Sequence, residues 1–173
     1  MNANDKLLVT LEGGVKRITF NRPERRNAFD FETFEAFAAA IEETARDESR
    51  VVVVTGAGEA FCSGLDLSVM SAGGPSRLDV GAKIRELIHP PVLRMRALPK
   101  PFVARVHGPA VGIGFSYVLA SDIVIASRTG EGSSSYWIMR MSDVLPPPHG
   151  AWMLIVSGGS VRLCFMKLAM AYA

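Results

Sequence analysis

Cysteine is scarce in this sequence: Cys62 and Cys164 are the only two, they lie far apart, and they match no metal-binding or thiol-redox spacing. A disulfide framework or a zinc module is thereby excluded, and a reducing compartment, the cytoplasm, is the expectation. Charge of one sign is lacking too. Nineteen Lys and Arg face 17 Asp and Glu for a net charge of +2, and the densest basic cluster, Arg22 to Arg26, is interrupted by Glu24. Nothing in that balance points to nucleic acid or to an anionic membrane surface. An uninterrupted membrane run is absent as well, because the longest apolar region, Phe102 to Ala126, contains Arg105, His107, Pro109, three glycines and Asp122. Met1 to Lys6 is polar and the apolar stretch behind it is short and alternating, so no signal peptide is expected.

Apolar material is plentiful. It makes up 49% of the 173 residues, enough for the buried core of one domain over residues 1–173. Leu7 to Glu12 and Val15 to Phe20 flank Gly13-Gly14 and read as a hairpin, the glycines supplying the positive φ of the turn. Residues 21–28 carry Pro23 and several charges and are expected as an exposed loop. Asp30 can cap a helix whose apolar positions, Phe31, Phe34, Phe37, Ala38, Ile41 and Ala45, recur at helical spacing to about Asp47. Val51 to Thr55 is a strand buried on both faces. A short helix is expected around 65–70, another over 78–98 broken at Pro90-Pro91, a strand at 102–106, a helix from about Gly114 and a strand at 123–126. Strands alternating with helices predict an α/β fold with a mainly parallel sheet.

Two stretches share one design. Val51–Thr55 runs into GEAFCSGLDL (58–67), and Phe102–Val106 runs into HGPAVGIGFS (107–116); each is a β-run, a glycine turn and a helix start. The first amides of a helix lack partners and carry the positive end of its dipole. Side by side in a sheet, two such turns can aim backbone N–H groups at one anionic oxygen, and glycine lets the backbone approach it. The same glycines (Gly56, Gly58, Gly64, Gly112, Gly114) equally suit tight turns and close helix packing.

The segments NRPERRNAFD, VVVVTGAGEAFCSGLDL, LPKPFVARVHGPAVGIGFSYVLASDIVIAS and the spacing P-x-x-x-GAW at 146–152 resemble the crotonase, or enoyl-CoA hydratase/isomerase, superfamily, in that family's order. The resemblance implies a spiral of β-β-α units, incomplete at the C-terminus, and an acyl-CoA thioester as substrate. It implies no cofactor beyond the coenzyme A of the substrate, no metal, and a homotrimer or hexamer. Carried over by motif, the amides of Leu65 and Ile113 form an oxyanion hole, Ile113 standing where the family has glycine. Arg25, Arg26, Ala28, Ser63, Gly64, Leu65, Asp66, Leu67 and Gly112 match the coenzyme A path. Asp66 is expected to secure its own turn by bonding local amides.

The carboxylate stations of the family are empty here. The two hydratase glutamates fall on Ser116 and near Met139, and the station after the proline of P-x-x-x-G falls on Pro147. Asp143 and His149 are nearby titratable residues, with Asp143 the candidate base. An isomerase-like enolate chemistry is therefore favoured over hydration. A non-catalytic acyl-CoA- or protein-binding homologue and an inactive truncated product remain open. The apolar segment Ser160–Ala173, read as a helix without a polar face, is expected to need partners on every side.

Overall fold

A computed structural model describes residues 6–68, 84–127, 151–157 and 160–166. Seven strands form one sheet in sequence order: β1 Leu7–Glu12, β2 Val15–Phe20, β3 Val51–Gly56, β4 Phe102–Val106, β5 Ile123–Ser127, β6 Ala151–Ser157 and β7 Ser160–Met166. Pairing is antiparallel at the two ends, β1 with β2 and β6 with β7, and parallel everywhere between. Strands added always on the same side by right-handed crossovers place the connecting helices of the described residues on one face. Helices α1 (Phe31–Thr44), α2 (His89–Ala97) and α3 (Ile113–Ala120) accordingly pack in order, α1 on α2 and α2 on α3.

The sheet alternates as a one-sided core requires. Ile18, Phe20, Val52, Val54, Phe102, Ala104 and Val124 are buried beneath the helices, whereas Arg17, Arg105 and Ile123, on the other face, are exposed. Phe20 is the hub, with the rings of Phe29, Phe37 and Phe61 meeting it edge-on at centroid distances of 4.8, 5.5 and 5.4 Å.

Between each long strand and its helix lies a second, short strand-like step. Phe29 bridges to Leu65 and Cys62 bridges to Ala110, both in parallel. Long strand, short step and helix repeat as β-β-α turns of a spiral, as the sequence resemblance implies.

Helix α1 begins where Asp30 accepts from the Thr33 amide at 2.9 Å. Its C-terminal carbonyls are met by lysines: Lys16 Nζ donates to Ala40 O at 3.1 Å, and Lys100 Nζ donates to Thr44 O and, just beyond the helix, to Asp47 O at 2.9 Å. The break expected at Pro90-Pro91 is a change of helix type. Residues 84–88 form a π-type turn, and Pro90 and Pro91 sit in the first turn of α2. Neither proline has an N–H to close an α-type bond back onto residues 86 and 87.

Two expectations are corrected. Ser160–Met166 is a strand hairpinned to β6, so the apolar run there serves sheet pairing and not an all-round apolar helix. The loop over 21–28 is only partly exposed: Asn27 and Ala28 are buried, because the Asn27 side chain bonds the loop to the chain beyond β3. Among the described residues no helix is long and apolar enough to cross a membrane.

Candidate active site

Gly58, Gly64 and Gly112 all have positive φ, at 69°, 100° and 55°. The last two lie against each other: a Cβ on Gly112 would stand 3.8 Å from the Gly64 Cα, and a Cβ on Gly64 would stand 3.0 Å from Val111 O. The positive φ favours glycine at both, and at Gly64 the tight approach to Val111 O adds to it.

The residue after each of these two glycines presents an N–H whose direction follows from hydrogen bonding of the preceding carbonyl. Segment 61–66 is the middle of three strand-like segments. On one side Cys62 donates to Pro109 O at 3.2 Å and accepts from Val111 N at 2.9 Å. On the other, Ser63 N donates to Arg26 O at 2.9 Å, Phe29 N donates to Gly64 O at 2.8 Å, and Asp66 N donates to Phe29 O at 2.9 Å. In a trans peptide the C=O and the following N–H point opposite ways. With Gly64 O turned to Phe29, the Leu65 N–H faces the side on which Val111 and Gly112 run. Gly112 O accepts from Ser116 N at 3.1 Å along the axis of α3, so the Ile113 N–H points out of that helix N-terminus. Neither N–H has a backbone acceptor among the described residues.

The structure thus changes one detail of the sequence reading. Leu65 owes its free amide to the bridge with Phe29 and not to a helix start, since helical geometry begins at Leu67. The β-branched side chain of Ile113 is accommodated in the core cluster, at 8% exposure. It leaves the backbone N–H in place.

Cys62 joins the two turns. Besides its backbone bonds, its sulfur accepts from Gly64 N at 3.4 Å, and a Cβ on Gly114 would stand 2.6 Å from the Cys62 Cβ. Burial pushes the Cys62 thiol up to about 12, so it stays neutral. Asp66 secures its turn as expected, accepting from Ser68 N at 3.1 Å and Ser68 Oγ at 2.7 Å; these bonds to Ser68 hold its carboxyl below the usual range. Sequence reasoning missed its second partner, Arg22 Nη2 at 2.9 Å, because the pair is 44 residues apart. Arg22 also lies 3.4 Å from Asp30. It is therefore a structural cation, whereas Arg25 and Arg26 are exposed.

Ser63 Oγ donates to Arg25 O at 3.2 Å, so the expected coenzyme A residues 25–28 and 63–67 form one continuous rim, with Leu67 exposed on it. Ser116 is buried and its hydroxyl donates to Gly112 O at 3.4 Å. Asp143, Met139, Pro147 and His149 lie outside the described residues.

A spiral of β-β-α turns with two backbone amides at neighbouring glycines defines the crotonase fold class. The Enoyl-CoA hydratase/isomerase family profile matches residues 10–137, and the chain belongs to that family. It is 36% identical over 167 residues to 1,2-epoxyphenylacetyl-CoA isomerase of Escherichia coli K12, covering 94% of this chain and 62% of that one. It is 34% identical over 155 residues to a probable enoyl-CoA hydratase of Rhodobacter capsulatus, covering 90% of this chain and 58% of that one. A crystal structure of an enoyl-CoA hydratase/isomerase from Xanthobacter autotrophicus Py2 superposes with a TM-score of 0.67 at 36% identity, over 72% of this chain and 47% of the other. The chain spans about three fifths of the length of these two curated relatives.

Proposed function

We propose that the chain binds an acyl-CoA thioester with its carbonyl oxygen between the amides of Leu65 and Ile113. The observation that supports this reading is that Gly64 and Gly112 lie against each other, each followed by an N–H without a backbone acceptor among the described residues. When a base removes a proton from the α-carbon, the electron pair moves onto the thioester oxygen. Donors already aimed at that oxygen then stabilise the enolate without reorganising. Return of a proton at a different carbon shifts a double bond, the isomerase outcome. The exposed guanidinium groups of Arg25 and Arg26 suit phosphates, and Ala28, Ser63–Leu67 and Gly112 line the path to the thioester. No cofactor is needed beyond the coenzyme A carried by the substrate.

Hydration is disfavoured because Ser116 offers a hydroxyl, bonded to Gly112 O, where the resemblance puts a carboxylate. Asp143 is the first residue to substitute in search of the base. The same vacancy of carboxylates favours, as a second reading, a binder of acyl-CoA without turnover; exchange of α-protons with deuterated water separates the two. Assembly as a homotrimer or hexamer and a cytoplasmic location complete the reading. The free, buried thiol of Cys62 suits a reducing compartment.

The deciding experiment compares the affinity of an acyl-CoA thioester with that of the matching S-alkyl thioether, which lacks the carbonyl oxygen. The thioester is expected to bind roughly tenfold more tightly, the worth of one to two hydrogen bonds. Ile113→Pro removes one donor at the first helical position, where proline is tolerated, and should erase most of that preference. Equal affinities in the unaltered chain would overturn the reading.

A further inference from the structure

Asn27 is buried to 1% exposure and holds a left-handed backbone, φ 58°, directly after Arg26 at φ 50°. Two such residues in succession are uncommon outside glycine. They swing the chain out of the turn at Pro23–Arg25 so that residues 28 and 29 run beside 64–66. The side chain spends both faces of its amide on this. Oδ1 accepts from Arg22 N at 2.9 Å, while Nδ2 donates to Ala57 O at 2.8 Å and Ala60 O at 2.7 Å. A Cβ on Gly56 would stand 2.7 Å from Nδ2, so β3 ends in a glycine that leaves space for the amide. Only a group with two donors and an acceptor serves all three partners; a carboxylate would face two carbonyl oxygens.

We propose that Asn27 is a positioning residue for the Leu65 amide, acting through the Phe29 N–H and the Gly64–Leu65 peptide plane. The inference rests on the oxyanion reading above. Asn27 anchors segment 26–29 to the chain after β3. That segment turns Gly64 O toward Phe29, and peptide planarity then turns the Leu65 N–H toward Gly112. The Ile113 amide is oriented separately, by Ser116 N on Gly112 O. Loss of the Asn27 bonds should therefore disturb one donor and spare the other, an asymmetry that general loosening of the fold would not produce.

The test titrates 15N-labelled chain with butyryl-CoA and with the matching S-butyl thioether, following the Leu65 and Ile113 amide resonances. In the unaltered chain both are expected to move further with the thioester than with the thioether, and that difference is the response followed. Asn27→Asp keeps the size and reverses the donors; Asn27→Gly keeps the left-handed backbone and removes the side-chain bonds. In either variant the Ile113 response should persist and the Leu65 response vanish, with thioester preference falling from roughly tenfold to about threefold, one hydrogen bond fewer. Thioether affinity should stay unchanged. A Leu65 response retained in both variants, or both responses lost together, overturns the inference. So does the absence of a cooperative thermal transition in both variants, which would make Asn27 a folding residue only. An unaltered chain in which neither amide responds overturns the oxyanion reading itself, and this inference with it.

Discussion

The ammonium of Lys16 lies 2.8 Å from the Asp47 carboxylate, under the C-terminal end of α1, with only 2% of the lysine side chain exposed. Lys100 reaches the other oxygen of the same carboxylate at 3.1 Å. Burial would push the Asp47 carboxyl up, but bonds from Lys16, Ser49 and Lys100 outweigh it and hold the group well below the usual range. A depressed carboxyl stabilises the fold fully above its unfolded value, near pH 4, and the contribution fades as pH falls toward the folded value. Asp47→Ala leaves Lys16 buried with Ala40 O and the exposed Glu43, and should cost about 3 kcal/mol at pH 7. Urea unfolding from pH 7 to pH 2 measures both: the variant should start less stable and lose less on acidification.

Tyr117 offers the opposite case. Its hydroxyl is completely buried and has no hydrogen-bond partner among the described residues, and burial raises its pKa well above the ordinary phenol value. The ring itself is well placed, with centroids 4.7 Å from Phe37 and 5.5 Å from Phe29. Tyr117→Phe keeps the ring and removes an unsatisfied group. A thermal melt should show the variant as stable as the original or more so, by up to about 1 kcal/mol; a clear loss would mean the hydroxyl has a partner.

Two glycines predict different penalties for one added methyl. At Gly13, φ 58°, a Cβ meets nothing within 4 Å, so Gly13→Ala should cost only the left-handed strain, about 1 kcal/mol. At Gly114 the Cβ would stand 2.6 Å from both the Cβ and the carbonyl oxygen of Cys62. Gly114→Ala must push the two turns apart and should cost about 2 kcal/mol or more. It should also weaken thioester binding, which Gly13→Ala should leave alone; denaturant melts paired with calorimetry read both effects.

Hydration of crotonyl-CoA should run at or near the uncatalysed rate, because Ser116 presents a hydroxyl bonded to Gly112 O at the position where the family resemblance puts a water-activating carboxylate. Absorbance loss of the conjugated thioester measures it. A robust rate from the purified chain would show that a carboxylate outside the described residues supplies the missing chemistry.

Periodicity and glycine placement made most of the scaffold legible in the sequence. Alternation in Val15–Phe20, the β-branched run at Val51, the Asp30 cap and the two-glycine hairpin are local effects, set by φ/ψ preference and by burial of one face. The order of motifs likewise singled out Leu65 and Ile113 as the residues of the proposed site. Tertiary structure alone decided which way their amides point. The Leu65 amide faces Gly112 because Phe29, 36 positions earlier, takes the preceding carbonyl, and no local pattern encodes such a pairing. Asn27 read as one polar residue in a charged loop, yet it is buried because its amide meets carbonyls at Ala57 and Ala60. Arg22 read as part of a basic cluster, yet it is neutralised by Asp66 and Asp30. Local propensities act within a few residues and can be read in order along the chain; the direction of an N–H and the pairing of a charge depend on which distant segment the spiral brings alongside.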